Sequence, residues 1–271
     1  MATWEFACSE PIDANVSIAS GTVSVTAAPA DVVTVQIRKG RDDDGDQLAD
    51  DVTVDYADRH LVISEQPRRG LGWRSKDLHV AIAMPAGSRA AVQAASADVT
   101  CRGEYGAVDI RTASGRIDVE TVRGRAEITA MSGGVHLLEA AEATVQTASG
   151  RISVRHAIGD VTARTASGNI DIGIAGASVT AKTASGQVQV NSIARGRGDL
   201  NSVSGDIDVK VMPGTGVYLD LASVTGRVTS DLDDAGKPGG GEHSGADLRL
   251  YCRTVSGSLH VARAASAEMT S

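Results

Sequence analysis

The amino-acid sequence predicts an all-β protein, a parallel β-solenoid (β-helix) with coils of about 18 residues and an irregular N-terminal β cap. Three observations carry this prediction. Val, Ile and Ala dominate a hydrophobic fraction of 42%, aromatic residues make up only 3%, and there are 30 glycines, a palette of small β-formers. A Ser-Gly pair recurs at Ser114, Ser132, Ser149, Ser167, Ser185 and Ser204, at spacings of 18, 17, 18, 18 and 19 residues. Around each pair, apolar and polar residues alternate with the period of a strand.

Residues 1–90 read as the cap. They hold one outlying copy of the repeat, Val16–Val25 around Ser20-Gly21, and then longer strands near 32–38, 52–56, 61–64 and 78–84. A cap is needed because an end coil exposes unpaired backbone and apolar interior.

Residues 91–263 read as the coils. Counted from each Ser, positions +3 and +5 are apolar, as in Ile152 and Val154 or Val188 and Val190, and so are −6 and −4, as in Val179 and Ala181. Each coil therefore holds two short strands, with Ser-Gly at the corner between them. Glycine accepts positive φ there without steric cost, and the Ser hydroxyl holds the bend. Pairing in register places identical positions about 4.8 Å apart, so Thr112, Thr147, Thr165 and Thr183 at −2 are expected to form an internal hydroxyl ladder. Cys101 and Cys252 fall at inward positions. A sandwich or barrel also suits short strands, but does not require an 18-residue identity of sequence. Towards the C-terminus a Gly-rich loop insertion at 231–246 precedes a final coil, Leu248 to Val261, whose end looks less well covered, and 264–271 reads as a disordered tail.

Composition narrows the function classes. A net charge of −8 argues against general nucleic-acid binding, which needs a basic surface to release counterions. No stretch approaches the roughly 18 apolar residues of a membrane span, and the start, Met1 to Phe6, lacks a signal-peptide pattern, so a cytoplasmic location is expected. Three widely spaced cysteines, Cys8, Cys101 and Cys252, fit reduced thiols better than a disulfide framework or a metal knuckle. No cofactor is expected.

The main candidate site is a face for an anionic or protein partner: Arg111, Arg164 and Lys182 at −3 beside Arg116 and Arg151 at +2. Arginine-rich ladders recognise carboxylate and phosphate; the bland reading is that these charges solubilise the sheet and pair with Asp109, Asp118 and Asp171. A segment with Asp42, Asp44, Asp46 and Asp50 resembles a calcium loop, although Gln47 stands where glycine is expected and Thr53 replaces the closing carboxylate; a solvated acidic loop is favoured. Asp118, His136 and Ser153 share the outward +4 column, but a flat face supplies neither cleft nor oxyanion donors for a triad. Asp171 and Asp208, two coils and roughly 9.6 Å apart, approach an inverting carboxylate pair without an aromatic sugar platform. Arg197-Gly198-Asp199 coincides with a corner of the repeat and reads as chance.

The recurring Thr-Ala-Ser-Gly-(Arg/Asn/Gln)-(Ile/Val)-(Asp/Ser/Gln)-(Val/Ile) at 112–119, 147–154, 165–172 and 183–190 resembles the bacterial "putative adhesin" β-repeat family, domain of unknown function 4097, over roughly residues 10–263. The resemblance implies the coil architecture and surface display, and carries over no catalytic residues. The function expected is a non-enzymatic scaffold or adhesin-like module, binding a protein through its flat faces or assembling end to end. The alternative is binding or processing of an anionic polysaccharide on one face.

Overall fold

The structure is a computed structural model that describes residues 1–40, 52–66, 77–232 and 247–264. These residues are all-β, and no helix among them is long and apolar enough to cross a membrane. The acidic segment with Asp42, Asp44, Asp46 and Asp50, most of the predicted Gly-rich loop and the C-terminal tail lie outside the described residues. The chain divides into two compact units, Met1–Ala140 and Ala141–Ser271, with the division inside strand β10 (Val135–Ser149).

In unit 1 the repeat sequences pair in parallel. Strand β7 (Arg89–Tyr105) pairs with β8 (Ala107–Ser114), and β8 with β9 (Ile117–Ser132), so that Val92 faces Ile110 and Ile110 faces Ile128. All three side chains are buried, which is what alternation predicts for the inward set. The outlying copy is strand β2 (Asp13–Ala28). One of its edges pairs with β7, Ser20 against Ser96 and Gly21 against Ala97. Its other edge pairs with β5 (His60–Glu65) and β6 (Leu78–Pro85), Ala14 against Leu61 and Val23 against Val80. The first repeat in the sequence is therefore the second level in space. Beyond it the pattern turns antiparallel: β1 (Ala2–Ala7) pairs with β3 (Val32–Lys39), β3 with β6, and β4 (Val52–Ala57) with β5. The β4–β5 hairpin turns through Asp58 and Arg59, both at positive φ, as a two-residue hairpin loop requires.

Unit 2 contains two parallel ladders. In one, the later part of β10 pairs with β12 (Val161–Ser167), β12 with β14 (Val179–Ser185), and β14 with β16 (Gly196–Ser204). In the other, β11 (Ile152–Ala157), β13 (Ile170–Ala175), β15 (Val188–Ile193) and β17 (Ile207–Val211) follow one another. Val161 faces Val179, and Ile152 faces Ile170, each 18 places on.

The C-terminal levels depart from chain order. Strand β20 (Leu248–Ser256) lies between β16 and β18 (Val217–Ser223), with Cys252 opposite Leu200 on one edge and Leu221 on the other. Strand β21 (Leu259–Arg263) lies likewise between β17 and β19 (Val228–Ser230). The last repeat in the sequence thus occupies the second-last level, and the less covered coil is 217–230 rather than 248–261. Val217, Leu219 and Leu221 are half-buried, whereas Val179 and Ala181 in the ladder interior are fully buried.

The corner explains the repeat's invariant pair. Gly168 and Gly186 sit at φ +153° and +144°, and a Cβ on either would strike the carbonyl oxygen of the glycine one level before, Gly150 or Gly168. Only glycine permits that approach. The inward hydroxyls bond differently from the expected ladder. The Thr183 hydroxyl donates to the Gly168 carbonyl at 3.2 Å, Ser202 to Gly186 at 3.3 Å and Thr254 to Gly205 at 3.2 Å. These three satisfy carbonyls of the preceding corner, Thr112 donates to the Ser114 carbonyl of its own corner at 2.8 Å, and the buried Thr147 and Thr165 hydroxyls have no hydrogen-bond partner among the described residues.

Candidate functional site

Residues two apart on a strand share a face, so the environment of each candidate cation depends on the residue two places away. In unit 1 that residue is a carboxylate. Arg111 Nη2 lies 3.1 Å from Asp109 Oδ2, and Arg116 Nε lies 2.8 Å from Asp118 Oδ2. The hydrogen-bonded Asp118 carboxylate holds the Arg116 guanidinium above its ordinary pKa. The pairing expected for solubilising charges is what occurs here.

In unit 2 the corresponding neighbours are neutral: Thr162 beside Arg164, Thr180 beside Lys182, and Ser153 beside Arg151. All three cations are exposed, and none makes an ion pair or hydrogen bond among the described residues. The ladder register aligns Gln146, Arg164, Lys182, Asn201 and Arg253 in one outward column. Asn169, at the +2 position one repeat after Arg151, accepts a hydrogen bond from the Gln187 backbone N–H at 3.0 Å and fastens one level to the next.

The displaced C-terminal level creates a feature that the linear order hides. On the outer face Tyr251 stands in register with Asp199 on one side and Asp220 on the other, and Tyr218 with Arg249. The Tyr218 and Tyr251 rings are 6.1 Å apart at 53°, and the Arg197 guanidinium lies 4.2 Å from the Tyr251 ring centroid, a cation–π contact. Asp199 accepts from Asn201 and lies 3.8 Å from Arg197, while Asp220 lies 3.5 Å from Arg253. The Arg197-Gly198-Asp199 tripeptide is thus part of the face itself, its glycine buried against Leu250.

Of the remaining candidates, Asp118 and His136 belong to unit 1 and Ser153 to unit 2; Asp118 is held by Arg116, and Ser153 stands opposite Asp171. Asp171 and Asp208 lie two strands apart with Gln189 between them. A constellation absent from the sequence reading, Thr229 Oγ1 at 3.1 Å from His260 Nδ1 with Asp231 at 3.7 Å from its Nε2, lies on the C-terminal levels, where Thr229 stands in register with His260. A cavity of about 240 Å³ in unit 1 is lined by Asp13, Asp58, Arg59, His60 and Arg89 among others, but Arg59 is engaged by Glu10 at 2.7 Å and His60 by Asp13 at 3.5 Å. Among the described residues no cluster of His, Cys, Asp and Glu is placed to hold a metal ion. Cys101 and Cys252 are buried free thiols, and burial pushes each up to about 12.

A profile of the family described as Toastrack DUF4097 matches residues 10–157 and 140–269. No curated protein matches the chain significantly. Among solved structures, a "putative adhesin" from Bacteroides fragilis NCTC 9343 aligns over 96% of each chain at 14% identity with a TM-score of 0.52, a likeness of fold. A "putative lipid binding protein" from Parabacteroides distasonis ATCC 8503 aligns over 96% of each chain at 10% identity with a TM-score of 0.43.

Proposed function

We propose, from the premise that this chain belongs to the Toastrack DUF4097 family, that it is a non-enzymatic, adhesin-like interaction module that engages a partner through a flat outer face of unit 2. The observation that carries this reading is the column of exposed cations, Arg164 and Lys182, left without carboxylate partners among the described residues on a regular strand face. Unpaired cations held in register are suited to charge-assisted recognition of an anionic surface. The supporting architecture is a β-solenoid with coils of about 18 residues, consistent with the parallel in-register ladders of each unit, and residues 1–90 act as its cap.

Surface plasmon resonance of the immobilised intact chain against purified acidic and neutral polysaccharides and acidic proteins tests this reading. Saturable binding to a panel member, lost in the Arg164→Glu/Lys182→Glu variant, supports it. No response to any member, or chemical turnover of one, counts against it.

Self-association is a second reading, favoured by the half-buried apolar residues of β18, which among the described residues pairs only with β20. Strand edges of this kind promote association. Light scattering across a wide concentration range decides it: a mass constant at 27.8 kDa excludes it.

A further inference from the structure

Strands β12, β14, β16, β20 and β18 of unit 2 follow one another in space, since β20 enters between β16 and β18. Their outer face carries three parallel rows: Thr162, Thr180, Asp199, Tyr251 and Asp220; Arg164, Lys182, Asn201 and Arg253; and, over β16, β20 and β18, Arg197, Arg249 and Tyr218. Strand spacing repeats each row about every 4.8 Å. At the far end, ion pairs and the Arg197 contact fix the aromatic group, while Arg249 makes no ion pair or hydrogen bond among the described residues. The face therefore combines held aromatic rings with three uncommitted cations, Arg164, Lys182 and Arg249.

We propose that this face binds an acidic polysaccharide. Its carboxylates pair with Arg164, Lys182 and Arg249, its hydroxyls meet Thr162, Thr180 and Asn201, and its sugar rings lie against Tyr218 and Tyr251. This deepens the interaction-module reading of unit 2 and rests on it. Three considerations select the ligand class. The strand repeat is close to the advance of one sugar ring along an extended chain, so two sugars crossing β12 and β14 meet equivalent side chains, Thr162 with Arg164 and then Thr180 with Lys182. An extended peptide needs backbone partners, which a sheet offers at its edge and not on its face. A single-stranded nucleic acid stacks successive bases on aromatic side chains, and the outward residues Thr162, Arg164, Thr180 and Lys182 of β12 and β14 include no ring. The aromatic group escapes notice in the sequence because the displaced level brings β20 against β16, and with it Tyr251 beside Arg197 and Asp199.

The experiment is isothermal titration calorimetry of the intact chain with polygalacturonate, which carries one carboxylate per sugar, beside dextran as a neutral polysaccharide and poly(dT) as a nucleic acid. We expect salt-sensitive binding of polygalacturonate and none of dextran. Arg164→Gln/Lys182→Gln/Arg249→Gln should weaken it at least about tenfold, and Tyr218→Thr/Tyr251→Thr about fivefold. Arg111→Gln/Arg116→Gln in unit 1 should leave affinity unchanged, and an unaltered melting temperature shows that each variant folds. No binding of polygalacturonate, equal binding of dextran, tighter binding of poly(dT), or wild-type affinity in the triple-cation variant overturns the proposal. Binding of an acidic protein through Arg164 and Lys182 without polygalacturonate binding overturns it while leaving the interaction module standing. Failure of every ligand removes both.

Discussion

The two units place cations at the same positions of the same repeat and treat them oppositely. In unit 1, Arg111 and Arg116 each close onto an aspartate two residues away; in unit 2, Arg164, Lys182 and Arg151 have Thr or Ser there and make no side-chain ion pair or hydrogen bond among the described residues. The difference lies in one residue per strand and leaves the backbone ladder unchanged. It teaches that the scaffold and the interaction face are written at separate positions: corner glycines and inward residues set the ladder, and the alternate outward residues decide which cations remain available.

The shared scaffold is the strongest part of this comparison to challenge. Gly115→Val in unit 1 and Gly186→Val in unit 2 each force a side chain into positive φ and against a neighbouring carbonyl. Each should cost at least about 3 kcal/mol in chemical denaturation. A large loss at one corner and none at the other would break the equivalence of the units. Truncating the inward set comes next: Ile117→Ala and Ile170→Ala, both fully buried, should each cost about 2–5 kcal/mol.

A pH titration sharpens the same equivalence, because Cys101 in unit 1 and Cys252 in unit 2 are both held protonated by burial up to about 12, from an ordinary value of 9.0. Each folded pKa is raised, so its contribution to stability is complete below pH 9 and is lost as pH climbs towards 12. Melting temperature should therefore fall across that window, and less steeply in Cys101→Ala/Cys252→Ala. In native protein at pH 8 neither thiol should react with a disulfide reagent, and both should do so in denaturant; rapid labelling of either in native protein would show that its level opens.

Much of the scaffold was legible because the repeat is periodic in sequence: the corner glycines, the inward Val and Ile positions, and burial of Cys101 and Cys252 all follow from counting. The level order was not legible. Periodicity states which strands resemble one another, but β2 enters between β5–β6 and β7, and β20 between β16 and β18, levels that are successive in the chain and do not include the entering strand's own place in it, and nothing local to either encodes that. The Arg197–Tyr251 contact was hidden for the same reason. The inward threonines were recognisable, whereas their carbonyl partners depended on how closely the corners stack. The split between paired and unpaired cations was present in the sequence all along, as Asp109 and Asp118 against Thr162, Thr180 and Ser153, and is found by reading each cation with the residue two places away.

That rule yields the smallest effect on stability and the sharpest on binding. Thr162→Asp/Thr180→Asp installs in unit 2 the carboxylates that unit 1 already has, so Arg164 and Lys182 should become internally paired. Exposed pairs of this kind contribute little, and the melting curve should move by less than about 1 kcal/mol. Polygalacturonate affinity should nevertheless fall, because each cation now has a carboxylate beside it and the added aspartates repel those of the ligand. The converse exchange, Asp109→Thr/Asp118→Ser, frees Arg111 and Arg116 in unit 1 without supplying an aromatic pair, so those cations should bind polygalacturonate more weakly than the face of unit 2. Equal affinity at both faces would mean that uncommitted charge alone determines recognition, and that Tyr218 and Tyr251 contribute nothing to it.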